Sequence, residues 1–200
     1  FDNTINRGLN LYNGIRFKLF GEVFHQNKFF EKVFNQDKPN STISIVGLDF
    51  RYYQKIHREI IWANRLSAST SFGNQKLLYY MGAMDNWFSP KFDNAIPIDN
   101  KQNYLYQTLA TPMRGFIQNA RNGNSFLLIN SELRIPVFKY LISRPIKSDF
   151  IKNFQVIGFG DIGTAWTGFS PYDSSNSLYT QVITQGPLTI TLFTQHEPII

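Results

Sequence analysis

TPMRGFIQNARNGNSFLLINSELRIP, residues 111 to 136, decides how this chain is read. It holds an Arg-Gly-Phe turn at Arg114, Gly115 and Phe116, then Asn122 and Gly123 as turn formers, then a strand from Ser125 to Pro136. In that strand Leu127, Ile129, Leu133 and Ile135 share one parity while Asn130, Glu132 and Arg134 share the other. Phe159, Asp161 and Gly163 follow as a Phe-x-Asp-x-Gly run. Each piece alone is weak; order and spacing make the signature.

Working outward, the same period of two recurs. From Leu11 to His25, Ile15, Phe17, Leu19 and Val23 alternate with Arg16, Lys18 and Glu22. From Thr42 to Tyr53, Val46, Leu48, Phe50 and Tyr52 oppose Asp49 and Arg51. From Ile60 to Phe72, Trp62, Leu66, Ala68 and Phe72 oppose Arg65, Ser67, Ser69 and Ser71, with Asn64 interrupting the apolar row. Phe154 to Trp166 is the last clear strand, and Leu188 to Phe193 a weaker one. The glycines at 158, 160 and 163 mark bends or close approaches. Residues 27 to 41 read as a connection, and Gln54 to Glu59 as a short polar hinge. Val137 to Asn153 is a basic, Pro-containing connection with Lys139, Arg144, Lys147 and Lys152. Between Gly73 and Gly123 strand patterning fades, apart from the aromatic run Leu77 to Tyr80. So long a loop is expected to be functional.

The 200 residues are 42% hydrophobic and 17% charged, enough for one folded domain. No apolar run reaches the roughly 18 residues of a membrane helix. The absence of cysteine excludes a disulfide framework or thiolate metal site. The net charge of +6 comes from scattered basic residues rather than a block, so it does not call for nucleic acid. The opening, FDNTINRGLNLY, lacks signal-peptide features, which suits either a cytoplasmic protein or an internal piece of a longer chain.

Long strands with one apolar and one charged face fit two architectures. A sandwich or barrel in water buries the apolar face; a membrane barrel turns it to lipid and keeps its charges in a wet lumen. Four segments reach the roughly 9 to 11 residues a spanning strand needs, and an Arg facing lipid at the midplane costs about 2 to 4 kcal/mol, so parity assigns the faces.

The compound signature resembles the BamA/TamA-type outer-membrane assembly factors, a superfamily that includes two-partner secretion transporters. Met113, Arg114, Gly115 and Phe116 match its loop tip. Gly123, Asn130, Glu132, Arg134 and Pro136 match its following strand motif, and Phe159, Asp161 and Gly163 match the next. The chain departs from the pattern at Tyr80 to Ala83, where one glycine of a usual pair remains, and in the insertion Met84 to Pro112. The resemblance implies an all-β fold: five or six strands of a sixteen-stranded transmembrane antiparallel barrel. A long loop, residues 73 to 124, would fold into its lumen. It implies a latch in which Arg114 reaches Asp161, with Phe159 and Gly163 making room. It also implies a bacterial outer-membrane location and insertion of other outer-membrane proteins. The implied partners are the lipid bilayer, the remaining strands of the barrel, unfolded outer-membrane proteins and accessory assembly lipoproteins. A secretion transporter, a passive outer-membrane barrel and a soluble β binding domain are the alternatives.

Other chemistry is weakly signalled. Arg-Gly-Phe also begins an RNA-binding strand motif, but Ile117, Gln118 and Asn119 do not continue it. Asp161 has no second carboxylate or histidine at catalytic spacing, and His25, His57 and His196 show no ligand spacing. With no phosphate-binding, dinucleotide or nucleophile-elbow motif, neither catalysis nor a cofactor or metal is expected.

Overall fold

A computed structural model describes residues 1–26, 41–83, 91–99, 102–142, 144–172, 176, 180–185 and 188–193. Among the described residues eleven strands and two five-residue helices form: β1 (Ile5–Gly8), β2 (Leu11–Gln26), β3 (Ser41–His57), β4 (Ile60–Gly73), β5 (Lys76–Gly82), β6 (Tyr104–Pro112), β7 (Arg121–Gly123), β8 (Ser125–Ile135), α1 (Val137–Leu141), α2 (Asp149–Asn153), β9 (Val156–Trp166), β10 (Thr180–Gln185) and β11 (Leu188–Phe193). The alternating segments became strands: β2, β3 and β4 run longer than their alternation marks, and β8 and β9 slightly shorter. The connection at 27–40 lies outside the described residues.

The main sheet has the order β1-β2-β3-β4-β8-β9. A second pairs β10 with β11, and a third has the order β6-β5-β7. This corrects the barrel expectation: among the described residues the fold is all-β apart from two short helices, no strand joins β1 to β9 and no closed barrel forms. Alternation fixes which side chains share a face. Closure additionally requires consistent tilt and stagger around the whole ring, which local pattern does not encode.

By its internal contacts the chain divides into two units. Unit 1 comprises Phe1–Leu19, Leu48–Ser67 and Leu128–Ile162. Within it the apolar parity is the exposed one. Phe17 and Leu19 of β2, Tyr52 and Ile56 of β3, Trp62 of β4, Ile129 and Leu133 of β8, and Ile162 of β9 are all exposed. Of the other parity, Asp49, Arg51, Arg65, Asn130, Glu132, Arg134 and Asp161 are only partly accessible, whereas Arg16 and Lys18 of β2 and Phe159 of β9 are exposed. On β4 and β8 that parity also carries Ile61, Ala63 and Leu128, all buried, and Leu11 is buried at the start of β2.

Unit 2 comprises Phe20–Gly47, Ala68–Leu127 and Gly163–Ile200. Its core joins Ile43, Ile45, Leu78, Tyr79, Met81, Met113 and Phe126, with Tyr79 and Phe126 meeting edge to face at 4.9 Å between ring centroids. Here the region 73 to 123, expected to be a long functional loop with strand character only in the run Leu77 to Tyr80, carries a sheet of its own. β5 runs parallel to β6 from Lys76 opposite Tyr104 to Gly82 opposite Pro112, and antiparallel to β7 from Tyr79 opposite Gly123 to Met81 opposite Arg121. A parallel pair needs a long crossover, and the insertion supplies one between β5 and β6.

Candidate functional site

The sheltered face of unit 1 concentrates its charge. Arg51 donates to Asp49 through Nε (2.8 Å) and Nη2 (3.0 Å), and Arg65 donates to Oδ2 of the same carboxylate from Nη2 at 2.6 Å. Positions 49 and 51 share a face because strand side chains alternate, and β4 lies beside β3, so Arg65 arrives from the neighbouring strand. Burial pushes the Asp49 carboxyl up, but the hydrogen bonds from Arg51 and Arg65 outweigh it and hold the group down to about 2. The same carboxylate raises the Arg51 guanidinium above its usual range.

On β8, Arg134 donates to Glu132 Oε2 from Nε (2.8 Å) and Nη2 (2.6 Å), and from Nη1 to the Asn10 carbonyl at 2.6 Å. Its guanidinium carbon lies 5.9 Å from the centroid of the Tyr53 ring. Asn130 donates from Nδ2 to Asp161 Oδ1 at 2.8 Å, tying β8 to β9. Pro136 is buried just ahead of α1, where its lack of an amide hydrogen costs little. The strand-motif residues Asn130, Glu132 and Arg134 thus have structural employment within unit 1. Because Arg134 presents a planar fork to two acceptors, Arg134→Lys is expected to lower the unfolding free energy by about 1 to 2 kcal/mol and Glu132→Gln by about 1 kcal/mol. The double variant is expected to cost less than the sum of the two in urea titration.

In unit 2 the tip residues sit beside the end of β5. The Met113 amide donates to the Gly82 carbonyl at 3.0 Å, and the Ala83 amide to the Phe116 carbonyl at 2.9 Å. Met113 is buried, Gly115 takes a positive φ of 85°, and Phe116 is exposed. Three asparagines, of which the sequence marked only Asn122 as a turn former, organise the rest. Asn119 donates to the Asp93 and Ile96 carbonyls, Asn122 to the Pro97 carbonyl and to Asn119 Oδ1, and Asn124 to the Ser71 carbonyl. All three are buried. Their spacing, 119, 122 and 124 around one turn, was the available signal: buried amides stay only where backbone groups saturate them. Gly123 stands where a Cβ would lie 2.0 Å from the Trp166 carbonyl oxygen.

Arg114, Gly115, Phe116 and Gly123 therefore belong to unit 2 with Gly163, while Phe159 and Asp161 belong to unit 1. Among the described residues no three His, Cys, Asp or Glu side chains converge as a metal site, and no helix is long and apolar enough to cross a membrane.

Comparison of the chain with protein-family models, with curated proteins and with solved structures gives no match. The resemblance to the BamA/TamA-type assembly factors is corrected accordingly. Its short motifs are shared spacing, and several of those residues are explained by local packing and hydrogen bonding. With no closed barrel among the described residues and no matching family, the roles drawn from the resemblance fall with it. These are the outer-membrane location, insertion of outer-membrane proteins, and the lipid bilayer, barrel strands, unfolded substrates and assembly lipoproteins as partners.

Proposed function

We propose that this chain is a non-enzymatic β-sheet binding domain whose apolar sheet face in unit 1 receives another protein. The observation that carries this reading is the exposure of Phe17, Leu19, Tyr52, Trp62, Ile129, Leu133 and Ile162 on five strands that neighbour one another in the sheet. Contiguous exposed apolar surface of this kind marks interaction sites, and the burial of each large side chain is worth about 1.5 to 3 kcal/mol.

The chemistry of the face favours a protein. Trp62 donates from Nε1 to Ser131 Oγ at 2.9 Å, and Ser131 donates to Asn64 Oδ1 at 2.9 Å. Asn64, which interrupts the apolar row in the sequence, is thereby satisfied inside the face. An apolar centre that includes aromatic rings and saturated polar groups is the composition of protein interfaces.

Site-specific photo-crosslinkers at Leu19 and Ile129, activated in the cells that make the protein, test the reading. A crosslinked protein is expected, and its affinity for the purified chain should fall about 100-fold in the Leu19→Glu/Ile129→Glu variant. Crosslinks to lipid alone, or to nothing, would overturn it. Both positions are exposed, so the substitutions leave the sheet intact.

A further inference from the structure

A second surface lies at one end of unit 1 and has different chemistry. The turn between β1 and β2, the turn between β3 and β4, and the segment carrying α1 and α2 are joined there. Arg58 donates to the Tyr140 carbonyl at 2.9 Å, with its guanidinium 5.2 Å from the ring of Tyr140. His57 meets the same ring at 5.7 Å, Phe138 and Phe154 pack at 5.4 Å, and Gln155 donates to the Leu9 carbonyl.

These segments, with the strand ends beside the turns, carry Arg7, Lys55, Arg58, Lys139, Arg144, Lys147 and Lys152 and the two carboxylates of Glu59 and Asp149. Seven cations less two anions leaves +5, against +6 for the whole chain. Among the described residues only Lys55 of these cations has a carboxylate at ion-pairing distance, Glu59 at 3.9 Å. Between the charges stand bulky apolar side chains: Leu9 is 58% exposed, Ile56 56%, Leu141 69% and Phe150 79%.

We propose that this end of unit 1 is a docking surface for an acidic polypeptide segment bearing apolar side chains. Charge complementarity selects an anionic partner and sets its approach, and the interspersed Leu9, Ile56, Leu141 and Phe150 require apolar side chains to cover them. Glu59 and Asp149 select a polypeptide over a phosphate array. A uniform sheet of headgroups or a nucleic-acid backbone repels both carboxylates, whereas a polypeptide places its charges singly. The apolar side chains also come from three separate segments, and α1 and α2 have five residues each, little more than one turn, which gives no continuous apolar stripe to lay into a lipid interface.

Fluorescence anisotropy with the full chain and a labelled synthetic peptide of alternating glutamate and leucine tests the proposal. Parallel titrations use anionic phospholipid vesicles and single-stranded RNA. Saturable, salt-sensitive peptide binding is expected. It should weaken about tenfold or more in Lys139→Glu/Lys147→Glu/Lys152→Glu and also in Leu141→Ser/Phe150→Ser, with circular dichroism unchanged. Failure to bind the peptide overturns the proposal, as does binding insensitive to both variants or tighter binding of vesicles or RNA than of peptide. Neither variant touches Leu19 or Ile129, so this result is independent of binding at the apolar sheet face.

Discussion

Asp49→Ala is expected to lower the unfolding free energy by about 2 to 3 kcal/mol. Two guanidinium groups, Arg51 and Arg65, converge on this carboxylate, and all three side chains are largely sheltered, with 18% of the Asp49 side chain accessible. Removing the carboxylate leaves two like charges facing each other with reduced hydration. The loss of one partner from a fully buried pair costs about 3 to 5 kcal/mol, and partial access of water to the arginines reduces that. A shift in the urea midpoint worth less than about 0.5 kcal/mol would place the cluster among ordinary surface pairs and remove it as a stabilising element.

The same cluster predicts an acid response. The folded Asp49 carboxyl titrates at about 2, below its ordinary value of 3.8. Its contribution is therefore complete above about pH 4 and is lost as the pH falls through the folded value. Discounted for partial exposure, it amounts to about 1 to 2 kcal/mol. Unfolding curves of the parent chain between pH 5 and pH 2 should show this loss, and Asp49→Ala should lack that component.

Gly123→Ala is expected to destabilise by about 3 kcal/mol or more. The added methyl would meet the carbonyl oxygen, carbonyl carbon and Cα of Trp166 at 2.0, 2.2 and 2.7 Å. Those are backbone atoms, so relief requires the end of β9 to move away from β7 rather than a side chain to rotate. Gly115→Ala is the comparison. Nothing lies within 4 Å of its added methyl, and its cost is the strain of a φ of 85°, about 1 kcal/mol. Thermal unfolding followed by tryptophan fluorescence separates the two. A Gly123→Ala midpoint within about 2 °C of the parent would contradict the close approach.

Much of the main sheet was legible because its strands advertise themselves locally. β2, β3, β4, β8 and β9 each alternate for many residues, and every alternating pair of positions carries the same information about face. The three-stranded sheet of unit 2 was not legible. β5 is a short aromatic run, β7 has three residues, and β5 pairs in parallel with β6, some two dozen residues away. Nothing in LLYY names YLYQTLA as its partner, since a ladder is made of backbone groups common to all residues. The site residues divide in the same way. Glu132 with Arg134 and Asp49 with Arg51 lie two apart on one strand, so their proximity followed from the pleat. The addition of Arg65 to Asp49, and of Asn130 to Asp161, depended on which strands became neighbours.

The family-level reading failed for a related reason. Arg-Gly-Phe, Asn-x-Glu-x-Arg and Phe-x-Asp-x-Gly together resemble one signature, yet Asn130, Glu132 and Arg134 make hydrogen bonds within unit 1 and Gly123 admits the backbone of Trp166. Spacing along one strand reports shared orientation, not shared ancestry.

By itself, then, the sequence determined the strands, their two unlike faces, the turn at Asn122 and Gly123, and the absence of thiol chemistry. These are properties of single segments or of composition. The tertiary structure alone decided that the apolar parity of unit 1 stays exposed, that β5, β6 and β7 build a sheet of their own, and that distant segments rich in basic residues are joined at one end of unit 1. Each of those depends on which distant segments lie side by side. Local periodicity is silent on that choice, because the hydrogen bonds and buried area that reward a pairing exist only after both partners have arrived.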